Sequence, residues 1–135
     1  MRYVIAYVST AFVFLAADFI WLGFIARSFY RDNLEGMLLE KPLMDVAGLF
    51  YGLYVVGIVI FGVMAGLRDD SWRSAAIYGA LFGLFAYATY DLTNQATLKM
   101  WSTKVTVLDI MWGTVLTGSA SLTGWWVTTA IFGRN

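Results

Sequence analysis

Val46-Ala-Gly-Leu-Phe-Tyr-Gly-Leu-Tyr-Val-Val-Gly-Ile-Val-Ile-Phe-Gly-Val-Met-Ala-Gly-Leu67 runs for 22 residues without one charged side chain. The hydrocarbon core of a bilayer is about 30 Å thick and a helix rises about 1.5 Å per residue, so about 20 apolar residues span it. In lipid every backbone polar group must be satisfied internally, so such a run is a helix and not a strand. Three further stretches follow the same logic on either side. Tyr3 to Ala26 is interrupted only by Asp18, Ala75 to Leu92 is shorter and carries Asp91 at its end, and Val107 to Phe132 has Asp109 near its start. The first stretch could open a secretory signal with Arg2 as its basic start. Its apolar run continues through Phe19-Ile20-Trp21-Leu22, too long for a signal core. The expected architecture is an all-α integral membrane protein: four transmembrane helices in an antiparallel bundle, with residues 1–135 forming one domain. Composition agrees, because 60% of residues are hydrophobic and 13% charged, against about 25% charged in soluble domains.

The connections are short. Residues 27–45 mix charges with Phe29, Tyr30, Leu34, Met37 and Leu38, the pattern of a short interfacial helix in the headgroup layer. Pro42 stands where the second span should begin, a place that tolerates its missing N–H. Residues 68–74 read as a tight charged turn, and residues 93–104, with Lys99, Trp101 and Lys104, link the last two spans. Four spans put both termini on one side (the terminal side) and the first and third connections on the other (the loop side). Trp72, Trp125 and Trp126 then fall near the terminal side and Trp101 near the loop side, as belts at two interfaces. Arg2, Arg68, Arg73 and Arg134 on one side nearly balance Arg27, Arg31, Lys41, Lys99 and Lys104 on the other, so positive charge sets no orientation.

What is missing removes whole classes of chemistry. The chain has no cysteine and no histidine. That argues against disulfides, thiolate nucleophiles, zinc, iron–sulfur clusters, haem and the Ser-His-Asp triad. The sequence names no cofactor and no metal site. Nine basic and nine acidic residues cancel, so nothing points to nucleic acid as a partner; membrane lipids are the partner the composition implies.

Each span carries an aspartate: Asp18, Asp45, Asp91 and Asp109. Alternating chain direction places all four in the loop-side half, Asp18 deepest at about 12 Å in from Ala26. Asp45 suits the positive end of a helix dipole, and Thr106-Val-Leu-Asp109 has the spacing of a helix-start capping box. Asp91 at a helix C-terminus and Asp18 in mid-span have no such role, and a charged group there asks for a partner or a function. Gly79, Gly83, Tyr87 and Asp91 recur at intervals of four, one stripe on the third span, and Gly48/Gly52 and Gly62/Gly66 form small-residue pairs on the second. Close packing of the second and third spans is the expectation. Asp18-Phe-Ile-Trp21 and Asp109-Ile-Met-Trp112 share a spacing that sets carboxylate and indole on one face, where an indole N–H can reach a carboxylate. The ligand-binding or proton-carrying candidates are therefore Asp18, Asp91, Tyr87, Asn94, Asp109, Trp21 and Trp112. Asp18, Asp91, Asn94 and Tyr87 are expected to converge in one pocket reached by Lys99 or Lys104.

Phe14-Leu-Ala-Ala-Asp18-Phe-Ile-Trp21, Phe50-Tyr-Gly-Leu-Tyr54, Tyr87-Ala-Thr-Tyr-Asp-Leu-Thr-Asn94 with Ala96-Thr-Leu-Lys99, and Val107-Leu-Asp-Ile-Met-Trp-Gly113 resemble one bacterial family, domain of unknown function 2177. The resemblance covers nearly the whole chain and implies a multi-pass protein of the bacterial inner membrane; it carries no activity to transfer. The residues themselves support three functions. The first is binding or transport of a hydrophobic or cationic small molecule at an intramembrane Asp/Tyr/Trp site. The second is an accessory subunit whose glycine faces pack on a second copy or a larger membrane complex. The third is a lipid-modifying enzyme working through carboxylates.

Overall fold

Apolar runs with no proline inside them have nothing to break them within the thickness of a bilayer. In the computed structural model, which describes residues 1–134, four helices are long and apolar enough to cross a membrane. α1 (Arg2–Ile20) continues through a π-helical turn, Trp21–Ile25. α2 (Arg27–Asn33) is short and lies within the first connection, as its mixed pattern suggested. α3 (Met44–Ile58), a second π-helical turn (Val59–Val63) and α4 (Met64–Asp69) make one continuous span. α5 (Trp72–Thr97) and α6 (Thr103–Phe132) complete the bundle, with no strand among the described residues.

The last two helices outrun their apolar cores, and this changes the meaning of two aspartates. The Ser71 side chain accepts the Ser74 N–H at 3.3 Å and starts α5 at Trp72. The charged turn thus shrinks to Asp70, in the left-handed conformation at φ 50°, and Ser71. α5 then continues through Leu92-Thr-Asn-Gln-Ala-Thr97, so Asp91 lies more than a turn inside the helix and not at its end. α6 begins at Thr103, which carries Asp109 past its first turn and removes the capping box. The Thr106 hydroxyl instead accepts the Trp101 Nε1–H at 3.0 Å. Asp45 keeps its helix-start role, in the first turn of α3 with its Oδ1 accepting the Val46 N–H at 2.8 Å.

The bundle is apolar outside as well as inside. Phe12 and Phe24 are 73% and 74% exposed, and Leu49, Leu53, Phe61, Phe85 and Val115 also face outward, as lipid-facing side chains should. α6 sits at the centre and touches α1 and every helix of the second and third spans. Its contact with α5 is a ladder of antiparallel rungs four residues apart: Gly79 meets Ser121, Gly83 meets Thr117 and the Gly113 carbonyl, and the Tyr87 ring lies against Gly113. A Cβ on Gly62 would come within 3.1 Å of the Gly79 Cα, so the second and third spans do approach closely, and Gly66 packs on Ala75 and Trp125. Gly48 and Gly52 do not share this role. Nothing lies within 4 Å of where a Gly48 Cβ would stand, and Gly52 meets only the Tyr7 hydroxyl at 3.8 Å. Fourfold spacing identifies a helix face but not the direction in which it looks: Gly48 is exposed, and Gly52 faces α1, where the Tyr7 hydroxyl donates to its carbonyl at 3.2 Å. Two apolar clusters fill the interior. One joins Ala6, Val63, Leu67, Ala75 and Trp125 on the terminal side; the other joins Phe14, Tyr54, Ile58, Leu116 and Ala120 nearer the loops.

Candidate functional site

One more step along the α5–α6 ladder brings Asp91 opposite Asp109, where both line the same cavity. Asp91 is 0% exposed and neither of its carboxyl oxygens receives a hydrogen bond. Asp109 is better supplied. The Tyr30 hydroxyl donates to its Oδ1 at 2.7 Å, and the Trp21 Nε1–H donates to the Tyr30 oxygen at 3.1 Å. The connection therefore does more than float at an interface: α2 turns Tyr30 into the bundle. Burial drives the Tyr30 phenol well above its ordinary range, and the neighbouring Asp109 carboxylate pushes it the same way.

Asp18 is held by two donors from two other spans. The Tyr51 hydroxyl donates to its Oδ2 at 2.7 Å and the Trp112 Nε1–H to its Oδ1 at 3.2 Å. The repeated Asp-x-x-Trp spacing thus works by exchange. The Trp of α6 serves the Asp of α1, and the Trp following α1 serves the Asp of α6 through Tyr30. The two indoles stack with centroids 4.4 Å apart and planes 9° from parallel, joining the exchanged halves.

A cavity of about 660 Å³ opens on the loop side of this network. Tyr30, Tyr90, Asp91, Trp101, Val105 and Asp109 line its wall, and Arg27, Arg31, Glu35 and Glu40 from the first connection stand around it. The expected four-residue convergence does not form there. Tyr87 packs in the loop-side apolar cluster against Gly113 and Tyr54. Asn94 lines a separate groove with Tyr90, Lys99 and Trp101, and Lys104 lies on another face beside Phe29 and Met111. The longer α5 is the reason: Asn94 stands nearly one turn beyond Asp91, closer to the loop-side end of the helix, and lines the groove there.

Sequence reading passed over Tyr30, Tyr51 and a column of hydroxyls on the terminal side of Asp18. Thr10, Thr117, Ser121 and Thr128 are each fully buried. The Tyr54 and Thr117 hydroxyls pair at 2.8 Å, Ser121 donates to the Ala75 carbonyl at 2.7 Å and Thr128 to the Gly124 carbonyl at 2.7 Å. The signal was present in α6, where Asp109, Gly113, Thr117, Ser121 and Trp125 recur at intervals of four.

The sequence profile of a family described as "Predicted membrane protein (DUF2177)" matches residues 3–126. The chain belongs to this family. This DUF2177 member is also similar to proteins named "Fluoride-specific ion channel FluC". It is 31% identical to that of Burkholderia mallei (strain SAVP1) over 115 residues, covering 79% of the chain and 89% of the relative. It is 32% identical to those of Burkholderia pseudomallei (strain 668) and Burkholderia thailandensis over 103 residues, covering 72% of the chain and 80% of each relative. No solved structure matches the DUF2177 chain.

Proposed function

We propose that this protein, in the bacterial inner membrane, moves a small cationic solute across the bilayer, with Asp18, Asp91 and Asp109 as its binding and proton-carrying groups. The observation that carries this reading is the unpaired, fully buried Asp91 facing Asp109 at the wall of a solute-sized cavity. Ionisable groups are costly inside a membrane and are kept there chiefly for pathways and relays. Support comes also from the line of polar groups that leads from the half-buried Asp109 past the buried Asp18 to the buried Thr128. Nineteen residues of α6 separate its ends, a rise of about 28 Å, close to the thickness to be crossed.

A second reading, fluoride permeation, is favoured by the names of the Burkholderia relatives. A bare anion would meet three carboxyl groups in one half of this path, so fluoride here would have to travel with protons that neutralise them. Reconstitution into proteoliposomes separates the two. Uptake of an organic cation driven by an inward-negative potential, with no fluoride efflux, is the result expected from the first reading. Fluoride efflux without cation uptake would replace it with the second, and absence of both would end the transport assignment.

A further inference from the structure

We infer that the cavity beside Asp91 and Asp109 takes an organic cation that brings its own N–H donors, a guanidinium or primary ammonium group carried on an apolar body. The inference deepens the transport reading and rests on it for its place in a pathway. Its chemistry comes from an inventory of donors. A carboxylate only accepts hydrogen bonds, at about four lone-pair positions. Asp91 has both oxygens buried with no donor on either, on the wall of an open cavity.

Four donors of the surrounding network are already engaged. The Tyr30 hydroxyl is given to Asp109, the Trp21 N–H to Tyr30, the Trp112 N–H to Asp18 and the Trp101 N–H to Thr106. Arg27 and Arg31 line the same cavity, yet the ion pairs among the described residues are Arg68–Asp69 and Arg134–Asp70, on the terminal side. Apart from a proton shared with the Asp109 carboxyl beside it, the donor to Asp91 then comes from outside the chain.

The same inventory sorts the rival cations. A divalent metal ion seeks six or more oxygens, and among the described residues no three carboxylates stand close enough to hold one. A quaternary ammonium has charge but no N–H, so it would leave Asp91 as unpaired as before. A guanidinium can lay two parallel N–H groups on one carboxylate and stack on an aromatic face. Trp101 and Tyr90, in edge contact at 5.8 Å, supply aromatic wall beside the acids. The volume of about 660 Å³ exceeds a bare guanidinium and falls in the ordinary range for small-molecule sites, with Leu22, Leu34 and Val105 offering apolar surface to the remainder.

The test is calorimetric titration of the full chain in detergent with benzylguanidinium, and with benzyltrimethylammonium as the cation of like charge and body without N–H groups. The inference expects benzylguanidinium to bind at least about tenfold more tightly, and Asp91→Asn to erase most of that preference. Where Asp91→Asn fails to give folded protein, Asp109→Asn is titrated in its place, and the selectivity of the unaltered chain needs no variant. Equal binding of the two cations, or a preference untouched in folded variants, overturns the inference. Proteoliposome flux keeps this apart from the transport reading. Selective binding with no flux upholds the site and removes transport; cation uptake with no preference for the guanidinium overturns the site and leaves transport standing.

Discussion

The two halves of the bundle solve one problem by different means. Both bury polar side chains in a low-dielectric interior, where an unpaired polar group is expensive. On the terminal side the groups are hydroxyls, and two of them take a nearby carbonyl: Thr128 bonds its own helix and Ser121 the helix across the glycine ladder, whereas Thr117 pairs with the Tyr54 hydroxyl and Thr10 has no partner. On the loop side the groups are carboxylates, which no carbonyl can satisfy, so donors are drawn from afar. Tyr51 serves Asp18 across 33 residues, Trp112 serves it across 94, and Tyr30 serves Asp109 across 79. Close backbone approach holds one half together; side-chain donors, their count one acid short, hold the other. The half that local carbonyls cannot satisfy is the one whose acids line a cavity.

The comparison can be broken most severely at the ladder. Gly83→Val would drive a side chain into the Gly113 carbonyl and Thr117, where backbone cannot yield, and should cost about 3 kcal/mol, the upper end for overpacking. Gly48→Val has open space and should leave the melting temperature in detergent unmoved; equal damage at both positions would refute the ladder. Next in size is Asp18→Leu, which strands the Tyr51 and Trp112 donors and should cost about 2 kcal/mol. Asp18→Asn keeps one acceptor and should fold, so an unchanged pH profile of cation uptake in that variant would remove Asp18 as a proton carrier. Tyr30→Phe should cost about 1.5 kcal/mol, since it deprives both Asp109 and Trp21.

Tyr30 also gives the loop-side half an alkaline signature. The folded state holds its phenol protonated above the unfolded value of about 10, so its contribution is whole below that pH and is lost as pH rises beyond it. Melting curves from about pH 9.5 to 11.5 should therefore fall less steeply in Tyr30→Phe than in the parent. Smallest of all, Thr128→Val should change stability by about 0.5 kcal/mol, because that hydroxyl bonds only its own helix.

The spans were legible because apolar length is a property of the sequence alone, and the loop-side gathering of aspartates followed from chain direction. Helix ends were not legible for α5 and α6. Thr93-Asn-Gln-Ala-Thr97 looks like the start of a connection, yet a helix that has left the bilayer no longer needs apolar residues to continue. That error moved Asp91 and Asp109 to helix ends and hid the rung between them. Tyr51 was within reach, since it lies about as far from the loop-side end of its span as Asp18 does. The depth count was made for acids and not for the hydroxyls that serve them. Tyr30 was beyond reach, because nothing in a mixed connection says which ring turns inward.

The two π-helical turns carry a consequence for insertions and deletions. Such a turn holds one residue more than α-helical pitch requires, and Val59–Val63 places it between the half-span that presents Tyr51 and Tyr54 and the half that presents Gly66 to Ala75. Removing one residue there would let the span close into regular α-helix with both halves still facing their partners. The same deletion inside α5 would swing every later rung by about 100° and turn Asp91 away from the cavity. Length variants of this chain should therefore be tolerated at Val59–Val63 and Trp21–Ile25 and rejected along the ladder.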